Sequence, residues 1–336
     1  MKTFAVSVKL NFALLLLLGS LHESYGQQFS PWTAPVNVGP PVNTVGMEYQ
    51  PFIAKDGLSL YFVHIESISP QVQNIYVAKR SSESEIWGDP QMLGPEINAA
   101  SVKGNPFVTI DRHYMYFNAN RPGGLGRADI YVSKRQNKRE DFGPMGWQEA
   151  VHLGDNVNGP AGDRAPWVFE DETTGITYLY FASDRSGNFD IYVSTMQPDG
   201  TFGPAEPVDE LNTAFTDDAP TLSRDGLEIY FTSDRVGSVP YPLDDCCGPA
   251  GQPSPDIWVS KRASTSDPWG PPQNLDEVNA ALGGPQINSP FDGGRPSLSF
   301  DETTLYFFDG YREGGVSDYF DLWKTTRTKL VGKHSQ

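Results

Sequence analysis

The sequence predicts an all-β protein, a five-bladed β-propeller of four-stranded antiparallel blades. One phrase of about 16 residues occurs five times along the chain. Each copy carries two strand-like segments, a third segment follows it, and a fourth usually comes next. The last copy lacks a fourth strand, and a matching segment stands at the N-terminus. Four strands per repeat with an exchanged terminal strand are typical of a closed propeller ring, which leaves few open sheet edges.

The clearest copy of the phrase is APTLSRDGLEIYFTSDR at 219–235. It has a short apolar run at 220–222, a turn at Asp225-Gly226, and an alternating run that includes Ile229 and Phe231. Because Asp-Gly accepts the positive φ of a tight hairpin turn, this stretch predicts two antiparallel strands.

The other copies repeat this order. Each begins with a proline, and these are Pro51, Pro106, Pro166, Pro220 and Pro296. The third strands are predicted at 74–80, 129–135, 190–196, 256–262 and 321–327, and the fourth at 87–94, 147–154, 202–212 and 269–279. The segment 32–39 is expected to complete the last blade and so to close the ring.

The bulky residues that recur are predicted to build the blades. A Tyr-Phe pair occupies one position of each second strand, at 61–62, 116–117, 180–181, 230–231 and 306–307. Its two side chains are expected to pack on opposite faces of the blade. Trp87, Trp147 and Trp269 also recur at a fixed position and are interpreted as packing residues. In the Ser-Asp-Arg triplets at 183–185 and 233–235, Asp is expected to cap a turn and Arg to pair with a carboxylate of a neighbouring strand.

The phrase resembles the WD40-like propeller repeat of the TolB and tricorn type. Residues 220–235 and the segment DIWV at 256–259 match its pattern. The resemblance implies a propeller that serves as a peptide-binding module, a scaffold or an accessory domain. A likeness of architecture alone links the chain to secreted five-bladed arabinanases and β-xylosidases, in which three carboxylates surround the central funnel.

The N-terminus reads as a secretory signal, with two lysines before an apolar core and small residues at its end. We therefore expect a signal peptide at 1–26, one propeller domain at 27–327 and a short tail at 328–336. The mature protein is expected to be a secreted monomer, periplasmic or extracellular, without a membrane span. The net charge of −17 argues against nucleic acid as a partner.

No cofactor and no metal are predicted. The four histidines after the signal have no ligand-like spacing, which disfavours a zinc site. Asp244-Asp245 is the best calcium candidate, but no complete calcium loop surrounds it. The adjacent Cys246 and Cys247 form either a vicinal disulfide or two thiols, and the sequence leaves both open.

The candidate site lies at the segments before the five prolines, where the inner strands lead to the central channel. The residue types at these positions differ from blade to blade. Such variation is expected both for a specific binding site and for a surface loop without function. The predicted ligand-binding residues are Glu48, Tyr49, Gln50, Asn105, Asp163, Arg164, Asp218 and Arg295.

Two functions are compatible with this mouth. The main hypothesis is a binding module that holds a peptide, a glycan or a partner protein there. The alternative is a glycoside hydrolase, which needs one carboxyl group as general acid and another as base or nucleophile. Its candidate catalytic residues are Glu48, Asp163, Asp217 and Asp218.

The loop at 236–255 interrupts the fourth blade with about twenty residues rich in Pro and Gly. A loop of this length can cover one face of a propeller, so it is either a lid over the site or a tolerated surface insertion.

Overall fold

Twenty strands of the computed structural model form five four-stranded antiparallel sheets, and two more form a small separate ribbon. The structure describes residues 28–69, 71–242, 249–317 and 319–330. Each sheet is one blade, and the inner strands of successive blades contact one another around a ring. The predicted five-bladed propeller is confirmed. The proposed signal peptide, Cys246, Cys247 and the Asp244-Asp245 pair lie outside the described residues.

The strands follow the order of the repeat. The N-terminal strands are β1 (Gln28–Phe29) and β2 (Val36–Asn37). Blade 1 contains β3 (Met47–Ile53), β4 (Ser59–Ile68), β5 (Gln71–Lys79) and β6 (Gln91–Met92). Blade 2 contains β7 (Lys103–Val108), β8 (Tyr114–Ala119), β9 (Asp129–Lys134) and β10 (Val151–His152).

The remaining blades repeat this plan. Blade 3 contains β11 (Asp163–Glu170), β12 (Thr177–Ser183), β13 (Asp190–Thr195) and β14 (Glu206–Pro207). Blade 4 contains β15 (Asp217–Leu222), β16 (Glu228–Ser233), β17 (Asp256–Lys261) and β18 (Gln273–Asn274). Blade 5 contains β19 (Gly293–Leu298), β20 (Thr304–Gly310), β21 (Phe320–Thr326) and β2. Two short helices, α1 (Pro95–Asn98) and α2 (Leu275–Ala281), connect strands of neighbouring blades, and the strand β22 (Lys329–Leu330) follows blade 5.

The ring closes as the sequence predicts. Val36 and Asn37 of β2 pair with Lys324 and Trp323 of β21, so the N-terminal segment supplies the outer strand of blade 5. A second closure, which the sequence did not predict, pairs β1 with β22. Both termini of the described chain are therefore held by backbone hydrogen bonds.

An asparagine ties the entry of each blade to the third strand of the preceding blade. Asn158 accepts from the backbone N–H of Ile130 and donates to the carbonyl of the same residue. The same double contact joins Asn43 to Leu322, Asn98 to Ile75, Asn212 to Ile191 and Asn288 to Ile257. Each asparagine follows a buried Val, Ile or Leu, so an apolar-Asn pair is a sequence signal of this contact.

The arginine at the end of the second strand has the structural role that the triplets predict. In blade 4, Arg235 lies over the rings of Phe231 and Trp258 and forms an ion pair with Asp217. In blade 3, Arg185 pairs in the same way with Asp163. Each arginine also donates to the backbone carbonyl of the residue that precedes a tying asparagine. Arg185 donates to Val157 and Arg235 to Leu211, so each ion pair is linked to an asparagine contact.

The core lies between blades. The Tyr-Phe pairs are buried, and in four of the five pairs the two members belong to different apolar clusters; Tyr230 packs in one and Phe231 in the next, whereas Tyr116 and Phe117 share a cluster. Trp87, Trp147 and Trp269 are buried beneath arginine side chains, which confirms their packing role.

Candidate functional site

The residue before each blade proline has a positive φ. Gln50, Asn105, Ala165, Ala219 and Arg295 have φ between 48° and 55°. None is glycine, so all five adopt a conformation that costs L-residues roughly 1–2 kcal/mol each. The ladder between first and second strand shifts register at this point in every blade. These bulges direct the side chains around them toward the channel mouth.

A cavity of about 240 Å³ opens at this end of the ring, and we call it the mouth cavity. Its wall contains Tyr49, Arg164, Thr216, Asp218, Thr232, Ser233, Asp234, Pro255, Asp292, Gly293, Arg295, Phe308 and Phe320. Four predicted ligand-binding residues, Tyr49, Arg164, Asp218 and Arg295, are therefore brought together here. Pro255 places the end of the 236–255 loop at the same mouth, while residues 243–248 lie outside the described part of the chain.

Side chains from all five blades form one hydrogen-bonded network at the mouth. Arg164 and Arg295 both contact Oδ2 of Asp218 through Nη2, at 2.7 and 2.9 Å. Arg295 also donates from Nη1 to Oδ1 of Asn105 at 3.0 Å. The backbone N–H of Asn105 donates to Oε1 of Gln50 at 2.8 Å. Gln50 and Asn105 line a narrower section of the channel beneath the mouth cavity.

The network holds Asp218 ionised. Its burial alone raises the pKa, but the positive charges of Arg164 and Arg295 outweigh burial, so the pKa of Asp218 lies below its usual 3.8. Burial and the charge of Arg295 lower the pKa of Arg164, although Asp218 partly offsets them. The Arg164 guanidinium lies 3.3 Å from the ring centroid of Phe189, and its buried Nε has no hydrogen-bond partner among the described residues.

Two further carboxylates line the mouth cavity, those of Asp234 and Asp292. Burial raises the pKa of Asp234 above 3.8, while a hydrogen bond from the backbone N–H of Thr216 partly opposes this shift. Neither residue is among those that the sequence predicts for the site. Asp234 belongs to a repeated triplet that predicts a turn-capping role, but its carboxylate accepts from the backbone N–H of Thr216 at the entry to β15. Asp292 stands directly before β19.

Aromatic side chains form another part of the cavity wall. Tyr49 lies edge-on to Phe308 with ring centroids 6.1 Å apart, and Phe308 is 5.3 Å from Phe320. Burial raises the pKa of Tyr49 to about 12, so its hydroxyl stays protonated and donates to Gln73. An apolar wall beside a few converging polar groups is the usual composition of a small-ligand site.

The structure separates the four carboxylates that were candidates for catalysis. Asp218 lines the mouth cavity, whereas the side chains of Glu48, Asp163 and Asp217 are fully buried and lie outside its wall. Successive residues of a strand point to opposite faces, so Asp217 turns away where Asp218 turns toward the channel.

The three buried carboxylates bind the loops that lead into their own blades. Asp217 accepts from the backbone N–H of Thr213, Asp163 from that of Gly159, and Glu48 from that of Thr44. Glu48 also contacts Nδ1 of His64 at 2.8 Å. The sequence predicted that these three carboxylates converge on the mouth, and in the structure they do not.

Within the described ranges, no group of three or more His, Cys, Asp or Glu side chains is arranged to hold a metal ion. The same part of the chain contains no helix of the length and hydropathy that crossing a membrane requires.

Comparisons with known proteins support the fold. No protein-family model and no curated protein matches the chain. Among solved structures, it is similar to a GH43_1 enzyme from Xanthomonas citri, with a TM-score of 0.55 and 13% identity over 88% of this chain and 91% of the other.

Two further structures have the same architecture. The catalytic domain of a GH62 alpha-L-arabinofuranosidase from Coprinopsis cinerea gives a TM-score of 0.53 at 14% identity, covering 89% of this chain and 98% of that domain. An endo-arabinase from Bacteroides thetaiotaomicron gives 0.52 at 15% identity, with 91% and 99% covered. At these identities the likeness shows the fold alone, and many of the similar folds are glycoside hydrolases.

Proposed function

We propose that the protein is a glycoside hydrolase that acts on a glycan bound in the mouth cavity. The observation that carries the proposal is that three carboxylates, two arginines and an aromatic wall line this one cavity. The similar folds of arabinan-directed and related hydrolases favour a glycan over a peptide as the ligand. This is the alternative of the two hypotheses drawn from the sequence.

The carboxylates at the mouth differ in protonation behaviour, as acid and base catalysis require. Asp218 has a lowered pKa and supplies a permanent negative charge beside a developing oxocarbenium ion. Asp234 has a raised pKa and is the better proton donor to a glycosidic oxygen. Asp292, the remaining carboxylate that lines the cavity, takes the role of the base that activates the attacking water, which forms the new bond to the anomeric carbon as the glycosidic bond breaks.

The other wall residues are suited to hold a sugar. Arg164 and Arg295 donate hydrogen bonds that can orient ring hydroxyls, and the Phe308–Phe320 wall offers an apolar surface to a sugar face. The cavity volume of about 240 Å³ lies below the roughly 300–1,000 Å³ of sites for drug-sized ligands. We therefore propose that the cavity holds the terminal residue of a glycan.

The test is hydrolysis of a panel of arabinan, xylan and their oligosaccharides by the purified mature protein. Asp234→Asn is expected to lose at least about 100-fold in kcat, the usual contribution of a general acid. Asp218→Asn should also lower kcat, because it removes the negative charge beside the oxocarbenium ion. Asp184→Asn is the matched control, because Asp184 accepts from the N–H of Gly162 as Asp234 does from Thr216, but lies outside the cavity wall. A panel without any hydrolysis by the wild-type protein would remove the proposal.

A second candidate is glycan binding without hydrolysis. It is favoured by the engagement of Asp218: Oδ2 contacts two guanidinium groups, and Oδ1 accepts from the N–H of Ala219. A carboxylate so fully bonded is a poor base. Calorimetric binding of an oligosaccharide that the protein leaves intact, lost in Arg164→Gln, would select this function.

We also propose that the blades are of the WD40-like TolB and tricorn type, on the repeat pattern at 220–235 and 256–259. The N-terminal sequence supports export to the periplasm or the medium, and we propose that the exported protein is a monomer. Mass spectrometry of the secreted protein tests the cleavage after residue 26.

A further inference from the structure

A second cavity lies at the opposite end of the channel, which we call the far mouth. Each inner strand passes its proline and ends here, so all five blades contribute to the wall. Its base is aromatic: the rings of Phe52, Phe107 and Trp167 form a cluster with centroid distances of 4.9 to 5.9 Å. The proposed glycan site uses none of these residues.

An acidic trough adjoins the far mouth and shares Phe169, Arg224 and Phe300 with it. The trough measures about 440 Å³, and its carboxylates are those of Asp171, Glu172, Asp225, Asp301 and Glu302. Glu170 adds a sixth carboxylate at the rim of the far mouth. The cations that line the two cavities are Lys55, Arg224 and Lys329, half as many as the carboxylates.

These carboxylates make the rim electronegative. Burial first, and then the charges of Asp111 and Glu172, raise the pKa of Glu170, although Lys55 partly opposes them. Hydrogen bonds from Ser299 and Thr303 outweigh burial and lower the pKa of Asp301, which therefore stays ionised. A positively charged ligand would relieve the repulsion among these groups.

The aromatic rim already accepts cations. Nζ of Lys55 lies 4.4 Å from the ring centroid of Phe300, and the guanidinium carbon of Arg224 lies 4.6 Å from the same centroid. Cation–π contacts of this kind stabilise a bound cation by about 0.5–1 kcal/mol at exposed sites. The far mouth thus combines an apolar floor with a rim that attracts positive charge.

We propose that the far mouth and the acidic trough together bind a basic peptide segment of a partner protein. One apolar side chain of the segment enters the aromatic floor, and flanking Lys or Arg residues lie along the trough. The charge complementarity argues for a basic peptide over a neutral glycan, since a neutral sugar gains no charge–charge attraction from six carboxylates. This site is separate from the proposed hydrolase site and does not depend on it.

The probe is a fluorescein-labelled peptide, acetyl-Lys-Lys-Phe-Lys-Lys-amide, titrated with the full mature protein and followed by anisotropy. We expect binding that weakens with added salt and weakens further when the central Phe of the peptide is replaced by Ser. The double variant Glu170→Gln/Glu172→Gln should bind about fivefold more weakly, as expected for two partly exposed charge contacts. Both side chains are surface groups, so this variant should fold.

Controls separate this site from general acidity and from the mouth cavity. Glu206→Gln/Glu210→Gln removes two exposed carboxylates outside the walls of both far-mouth cavities and should bind the peptide like the wild type. Asp218→Asn should also leave the affinity unchanged. Equal losses in the two glutamate double variants, displacement of the peptide by neutral xylo-oligosaccharides, or no binding by the wild type would each overturn the proposal.

Discussion

Arg295 of blade 5 contacts Asp218 of blade 4 with 2.9 Å between Nη2 and Oδ2, and Arg164 of blade 3 reaches the same oxygen. One buried carboxylate thus joins three consecutive blades at the channel mouth. Because buried charges are costly without partners, this contact links ring stability to the candidate site.

Removing the charge of Asp218 should destabilise the ring. Asp218→Asn keeps the side-chain volume but leaves Arg164 and Arg295 facing each other, and we expect a loss of about 3 kcal/mol in the free energy of unfolding. The lowered pKa of Asp218 means that the wild type keeps this stabilisation above about pH 4 and loses it as pH falls through that pKa. Urea unfolding at pH 7 measures the loss. An unfolding curve indistinguishable from that of the wild type would contradict a stabilising role for the network.

Replacing an arginine at the end of a second strand should destabilise the fold more than replacing a surface arginine. Arg235→Gln deprives the buried Asp217 of its cation and should cost about 3 kcal/mol. Arg127→Gln is the control, since Arg127 pairs with Asp184 but keeps 74% of its side chain exposed, and it should cost less than about 1 kcal/mol. Similar costs for the two variants in chemical denaturation would refute a structural role specific to Arg235.

Glycine should be tolerated before the blade prolines. Ala219 has φ +53°, so Ala219→Gly relieves strain of roughly 1–2 kcal/mol that offsets the lost methyl burial and the added chain entropy. Ala182→Gly, in the buried interior of β12, has no strain to relieve and should cost about 1 kcal/mol or more. Thermal melting measures the stability of both variants. Equal destabilisation of the two would contradict the relief of strain at residue 219.

Asp256 should make stability fall with rising pH. Burial raises its pKa to about 7, with Asp276 and Asp309 adding to the shift, so the folded protein retains this proton well above pH 4. A raised carboxyl pKa stabilises the fold most below the usual value near 3.8, and the advantage is lost as pH rises toward 7.

The variant Asp256→Asn isolates this group. At pH 8 it should be more stable than wild type, on the order of 2 kcal/mol, and at pH 4.5 the two should be similar. Urea unfolding of both proteins across this range gives the difference directly. A pH-independent difference would show that the charge of Asp256 is not the cause.

The fold was predictable because its signals are local and repeated. Asp225-Gly226 marks a hairpin turn, the Tyr-Phe pairs mark a strand buried on both faces, and 32–39 balances the missing strand. The β1–β22 ribbon was not predictable, since two-residue strands carry no pattern. The tying asparagines do have a sequence signal, the apolar-Asn pair, but its meaning emerges only once the contact with the third strand is seen.

The site was predictable only in part. The segments before the prolines contain Tyr49, Arg164, Asp218 and Arg295, which line the mouth cavity as expected. One residue of strand alternation separates Asp218 from Asp217. A proline marks the bulge in every blade, but the sequence does not show which of the two side chains faces the channel. Asp234 joins the cavity from the end of β16, a relation that only the folded blade reveals.

The comparison of Asp234→Asn with Asp184→Asn tests the central claim most directly. Both residues follow a second strand and accept one backbone N–H, but Asp234 alone of the two lines the mouth cavity. On the arabinan or xylan substrate that the wild type cleaves, kcat should fall at least about 100-fold in Asp234→Asn and stay unchanged in Asp184→Asn. Equal kcat values in the two variants would contradict catalysis at the mouth cavity.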